Sequence, residues 1–201
     1  MILLPFLKFK KSEWVAMGLA VAMLFNTAIG FERKLINIYS WWGLEVGSIS
    51  EQTEECSVPL LSGIKMNKTY AEMYDGVIGS VQEHTAEGEE IFVFPHMPVF
   101  YVLCDRSRAT DTANQWFDVS TDASVIADID VLAQKKPKVL ITCIIDDSVV
   151  EAHEDAFRQG EMSGLHEMQN FLVEFIKDES YVNDGSYKIS DMYTVEVWYL
   201  P

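Results

Sequence analysis

Residues 89–110 read EEIFVFPHMPVFYVLCDRSRAT. Ile91 to Phe94 is a short run of β-branched and aromatic side chains, which suits a buried strand. Pro95-His96-Met97-Pro98 then forces a turn, because two prolines in four residues cannot continue a hydrogen-bonded ladder. Val99 to Cys104 is apolar throughout and reads as a short buried helix, closed by the charged tip Asp105-Arg106-Ser107-Arg108. A strand that hands the chain to a polar turn and then a helix is where α/β folds place ligands.

Upstream of this stretch, Asn67 reads as an N-cap. Tyr70, Met73, Tyr74, Val77, Ile78 and Val81 follow at helical spacing, and Gly88 lies beyond the end. Downstream, Gln115 to Val119 reads as a second short strand. Ser120 caps a helix carrying Val125, Ile126, Ile129, Leu132 and Ala133 on one face, and Pro137 stops it. Lys138 to Ile145 is almost continuously apolar and reads as a central strand covered on both sides. Residues 146–164 are polar and acidic and read as a long surface loop with room for a helical turn. Leu165, Met168, Phe171, Leu172, Phe175 and Ile176 mark another amphipathic helix. Asn183-Asp184-Gly185 is a turn signal. Tyr187 to Leu200 is the closing strand or hairpin, with Tyr193, Val195, Val197 and Tyr199 on one face. The alternation predicts an α/β fold with a mostly parallel sheet of about four strands and flanking helices, preceded by one N-terminal transmembrane helix.

The chain has 201 residues, 31 acidic and 15 basic, for a net charge of −16. Residues 1–31 hold Lys8, Lys10 and Lys11 against Glu13, so the remainder keeps 30 acidic and 12 basic residues, a net of −18. Such a domain repels nucleic acid, since holding phosphates requires lysine and arginine. Trp14 to Phe31 carries no charge and spans roughly 27 Å as a helix, close to a bilayer core. The preceding lysines favour a cytoplasmic N-terminus, and Tyr39, Trp41 and Trp42 suit the interface that follows. A signal peptide cleaved near Ala28-Ile29-Gly30 and a buried core helix fit the same segment. The apolar Ile2 to Leu7 resembles the end of an earlier span. Three parts are expected: a stub and transmembrane helix (1–31), an interfacial connector (32–66), and an extracytoplasmic α/β domain (67–201), with the bilayer as partner.

Few residues carry readable chemistry. No phosphate loop, metal helix or nucleophile elbow occurs, and no cofactor or metal is expected. His96 lies in the turn after the first strand. Asp146 and Asp147 end the central strand, where neighbouring carboxylates of an extended segment point to opposite faces. Arg106 and Arg108 are the candidate phosphate clamp, or partners for nearby acids. If the two apolar strands are parallel neighbours, His96, Asp105, Arg106, Asp146 and Asp147 gather on one rim. Cys56 reads as exposed. Cys104 and Cys143 read as packed thiols, with a bridge between them or a reactive Cys104 as alternatives.

One resemblance rests on residues 58–110 and the block after them. Pro59-Leu60-x-Ser62-Gly63-Ile64-Lys65 leads into a helix with Tyr70 and Tyr74. The run from Ile91 to Tyr101 comes next, then Asp105-Arg106-x-x-x-Thr110, Val131-Leu132 and Lys136 to Ile141. This pattern resembles the C-terminal extracytoplasmic domain of multi-spanning membrane glycosyltransferases that use polyprenyl- or dolichyl-phosphate sugars. In that family the catalytic carboxylate lies among many membrane spans, a region absent from this one-span sequence. The resemblance therefore implies a non-catalytic part of a transferase. Its implied partners are a polyprenyl-phosphate sugar or a glycan acceptor, through the parent enzyme. His96, Tyr101 and Arg106 lie in the strand-turn-helix that matches that domain's motif and, with Asp105, Asp146 and Asp147 of the rim, are the candidate substrate-binding residues. The alternative is a single-pass anchored interaction domain without enzymatic activity.

Overall fold

The computed structural model describes residues 10–41, 44–117 and 119–201. Ile2 to Leu7, Lys8, Trp42, Gly43 and Asp118 lie outside the described residues. The chain opens with α1 (Lys11–Ile36), a 26-residue helix that buries none of its side chains. A core helix must bury a face, so the core-helix alternative is removed. α1 is long and apolar enough to cross a membrane. A two-strand ribbon, β1 (Ser40–Trp41) with β2 (Leu44–Glu45), follows it.

The connector is not loose. Glu54 and Met66 pair as an isolated antiparallel bridge. The Asp75 carboxylate accepts from the Ser57 amide at 2.7 Å and the Ser57 hydroxyl at 2.8 Å. These ties seat Leu44, Cys56, Val58 and Met66 in the main core. Cys56, expected to be exposed, is therefore buried. All three cysteines are free thiols, so Cys104 and Cys143 are not bridged.

α2 (Lys68–His84) begins where its cap predicts, with the Tyr70 amide donating to the Asn67 side chain at 3.0 Å. β3 (Glu90–Phe94) and α3 (Val99–Leu103) also match expectation. A two-residue β4 (Ser107–Arg108) comes next. α4 (Asp122–Lys135) is capped by Thr121, and β5 (Val139–Thr142) is buried along its whole length. α5 (Asp147–Arg158), α6 (Gly164–Asp178), β6 (Val182–Lys188) and β7 (Thr194–Tyr199) complete the chain.

The main sheet has five strands in the order β4-β3-β5-β7-β6. β3 is parallel to β4 and β5, whereas β7 is antiparallel to β5 and β6. The sheet is mixed, which corrects the expectation of a mostly parallel sheet of four strands. The cause lies at the C-terminus. Asn183-Asp184-Gly185 is not the turn. It sits inside β6, where an irregularity between Asn183 and Gly185 absorbs it. The hairpin reverses at residues 189–193, where the Ser190 hydroxyl accepts the amides of Met192 and Tyr193. This makes a strand of Val182 to Lys188 and slots β7 between β6 and β5.

α2 packs across β5, β6 and β7. Because β5 is buried on both faces, a second layer is required, and the α4–α6 pair supplies it. Gly164 is needed at that pair: a Cβ there would come within 2.8 Å of the Asp122 Cα. Two more expectations need correction. Gln115 to Phe117 and Val119 form no strand, and the helical turn allowed within the 146–164 loop is a full helix over residues 147–158.

Candidate functional site

The C-terminal end of the parallel pair β3–β5 forms the rim expected to collect polar side chains. Pro95 and His96 leave β3 there, and Gln115 folds back so that its amide donates to the Pro95 carbonyl at 2.7 Å. The His96 ring meets Trp116 edge-on at 4.7 Å and Tyr193 at 6.3 Å. Burial among these rings pushes the His96 imidazole down to about 4, so it is neutral at physiological pH.

Asp146 and Asp147 reach the same end of the sheet. Asp146 caps α5, accepting the Ser148 amide at 3.0 Å and the Ser148 hydroxyl. Those bonds hold its carboxyl below the usual aspartate range. The Asp147 carboxylate accepts from the Gln169 side chain at 3.0 Å. Gln169 also brackets Ile145, accepting its amide at 3.0 Å and donating to its carbonyl at 2.8 Å. An α6 side chain thus extends the β5 ladder past its last residue and fixes where both aspartates emerge.

An open groove of about 510 Å³ runs along this rim, lined by Ile144, Ile145, Asp146, Ser148, Val149, Asp191 and Met192. A second of about 480 Å³ shares Asp191 and Met192 and is bounded by Glu45, Thr69 and Lys188. Lys188 is the one basic residue of the two linings, and it is paired to Asp191 at 2.8 Å. Among the described residues no cluster of three or more His, Cys, Asp or Glu side chains is placed to hold a metal ion.

Asp105 and Arg106 do not join this rim. β4 pairs Ser107 with Glu90, the first residue of β3, which sets both residues at the opposite end of the sheet. Asp105 is exposed, with a left-handed backbone (φ 53°). The Arg106 guanidinium donates to the Thr85 hydroxyl at 2.7 Å and carbonyl at 2.8 Å, and to the carbonyls of Cys104 (2.8 Å) and Asp105 (2.9 Å). It ties the end of α2 to the end of α3. Tyr101 is buried, and its hydroxyl accepts the Val93 amide at 3.0 Å where the two-residue β4 has ended. Burial raises that hydroxyl to about 12.

Burial also pushes the Cys104 thiol up to about 12, which keeps it protonated and poorly nucleophilic at neutral pH. Asp191 and Met192 were missed from the sequence because the reversal of the last hairpin was placed elsewhere, and Ser148 because residues 146–164 read as a loop. Trp116 was missed because its segment read as strand. No family model, curated protein or solved structure significantly matches this chain.

Proposed function

We propose that the protein is a single-pass membrane-anchored domain whose residues 32–201 lie on the extracytoplasmic side and bind a hydroxyl-rich ligand, without catalysing a reaction of their own. The observation that carries this reading is the pairing of an apolar helix that buries nothing with an acidic domain that closes its own core. Such a helix needs an apolar surrounding, and a bilayer provides it. The lysines before α1 favour a cytoplasmic start.

The ligand class follows from the rim. Asp146, Asp147 and Asp191 make it acidic, so a phosphate would be repelled there. Arg106, which a phosphate clamp would need, is engaged at the far end of the sheet. Carboxylates at the same end of the sheet as neutral His96 suit sugar hydroxyls. Within the glycosyltransferase resemblance of residues 58–110, the rim therefore corresponds to an acceptor glycan rather than to a polyprenyl-phosphate donor. In that second reading the domain is the non-catalytic end of such an enzyme.

Alkaline washing of membranes tests the anchor: the full chain should stay with the bilayer, and protease added outside intact cells should degrade the domain. Release by alkali, or full protection from protease, would overturn it. For the rim, Asp146→Ser keeps a capping hydroxyl and Asp191→Asn removes a charge. Each should weaken retention on immobilised cell-surface glycans by roughly tenfold, the worth of one polar contact. Undiminished retention would dismiss the rim.

A further inference from the structure

A short, heavily bonded path joins the end of α1 to the acidic rim. The β1–β2 ribbon starts at Ser40, soon after α1 ends at Ile36, and folds back so that Glu45 lies opposite Ser40. The Ile38 amide donates to the Gly47 carbonyl at 3.1 Å, and the Val46 amide to the Tyr39 carbonyl at 3.2 Å. The Val46 carbonyl accepts from the Asn67 side chain at 2.8 Å and from the Gln52 side chain at 3.0 Å. Asn67 caps α2, so the ribbon is fastened to the first turn of that helix.

The groove of about 480 Å³ opens at this junction. Glu45 of the ribbon and Thr69 of α2 line it together with the hairpin residues Lys188 to Met192. The extended chain from Ile36 to Ser40 reaches at most about 14 Å, and a paired strand lies about 5 Å away, so Glu45 is within about 20 Å of the end of α1 whatever the tilt of that helix. Asp191 and Met192 carry the lining into the second groove, beside Asp146 and Ser148. The end of α1 and the C-terminal rim of the sheet therefore share one end of the domain.

A hydroxyl without a partner adjoins both grooves. Tyr193 follows Met192, bridges to Ile145 and is 1% exposed. Its hydroxyl has no hydrogen-bond partner among the described residues. A buried donor left unpaired is costly, and an incoming acceptor removes that cost.

We propose, resting on the reading of the rim as the glycan site of an anchored domain, that the rim faces the bilayer holding α1 and that its occupant is the sugar headgroup of an uncharged glycolipid in that membrane. Glu45, Asp146 and Asp191 repel phosphate headgroups, and Lys188 is already engaged by Asp191. Carboxylates accept sugar hydroxyls, and the Tyr193 hydroxyl donates to a sugar oxygen. A lipid in the plane of the membrane reaches a groove at that height without leaving the bilayer.

Amide hydrogen exchange on the full chain in phosphatidylcholine nanodiscs, with and without digalactosyl diacylglycerol, tests this. With the glycolipid, residues 144–149 and 188–193 should exchange at least about fivefold more slowly while α6 is unchanged. Tyr193→Phe removes only the unpaired hydroxyl, so the domain stays folded, and the glycolipid fraction giving half of the protection should rise roughly fivefold. A titration equal to that of the parent would overturn the role of Tyr193. Protection by free digalactose but not by the glycolipid would overturn the membrane-facing rim and leave it a glycan site. Protection by neither would overturn both. Protection by phosphatidylglycerol in place of the glycolipid would overturn the uncharged headgroup. A chain that does not stay with the discs would remove the anchor, and this inference with it.

Discussion

α5 and α6 are neighbours in sequence and in space, yet they are stabilised by different physics. α6 buries Leu165, Met168, Leu172, Phe175 and Ile176 on one stripe, with Phe171 and Phe175 stacked at 5.0 Å. α5 buries one aliphatic side chain, Val150, and adds the His153 ring stacked on Phe117 and the polar contacts of Glu154 and Arg158. The first is secured by apolar area removed from water, which no partner geometry can undo. The second leans more on directional bonds, each of which fails when one partner changes. The difference teaches that helices of similar length can sit at very different points between folded and locally open.

The sharpest way to break this comparison is in α6. Leu172 is fully buried, so Leu172→Ala should cost about 2–5 kcal/mol and destabilise the whole domain cooperatively in a denaturant melt. A loss confined to α6 would mean that α6, too, is a peripheral element.

A pH titration gives the next largest effect and must be separated from α5. His96 is held neutral by burial, with its folded value about 4 against 6.5 for an ordinary histidine. Its folded value is depressed, so the unfolded chain takes up the proton first. Stability is full above about 6.5 and falls by roughly 3 kcal/mol as pH drops towards 4. His96→Phe should flatten thermal stability across that window. An unchanged slope would show that His96 can protonate in place.

Glu154 acts at lower pH. Burial works to raise its carboxyl, but bonds from Ser163 and His166 outweigh that and hold it below the ordinary glutamate range. Its contribution is therefore present above the unfolded value and is lost as pH falls through the depressed folded one. Glu154→Gln should cost about 1–3 kcal/mol at neutral pH and remove the acid-end part of the titration. A variant as stable as the parent would mean that the Ser163 cap is sufficient alone.

The smallest effect belongs to an exposed aromatic ring of α5. Phe157→Ser should change stability by no more than about 0.5 kcal/mol, because most of that ring faces water. A larger loss would show that the ring stacking, not the polar ties, secures α5.

The same pair of helices shows what a sequence exposes. α6 was legible because Leu165, Met168, Leu172 and Ile176 repeat at helical spacing. α5 was not, because its buried face consists of Val150, His153 and Glu154, two of which read as solvent-facing residues. The placement of the polar residues was half legible. His96, Asp146 and Asp147 do share a rim. Asp105 and Arg106 were assigned to it wrongly, since the sequence shows the charged tip but not that β4 returns it to the start of β3. In α4 the buried stripe carries Asp128, whose carboxylate accepts the Thr112 amide at 3.2 Å, while Ile126 faces solvent.

What the sequence determined alone is local and apolar: the uncharged helix, the Asn67 cap, the strand Ile91–Phe94, a central strand within Lys138–Ile145, and the alternation from Tyr193 to Tyr199. Each follows from side-chain periodicity or from one backbone group finding its nearest donor or acceptor. Tertiary structure decided which strands pair, that an Asn-Asp-Gly segment is absorbed into a strand, and that a glutamate is buried against Ser163 and His166. Those outcomes depend on partners distant in the chain, such as Gln169 for Ile145 and His166 for Glu154, and periodicity carries no information about them.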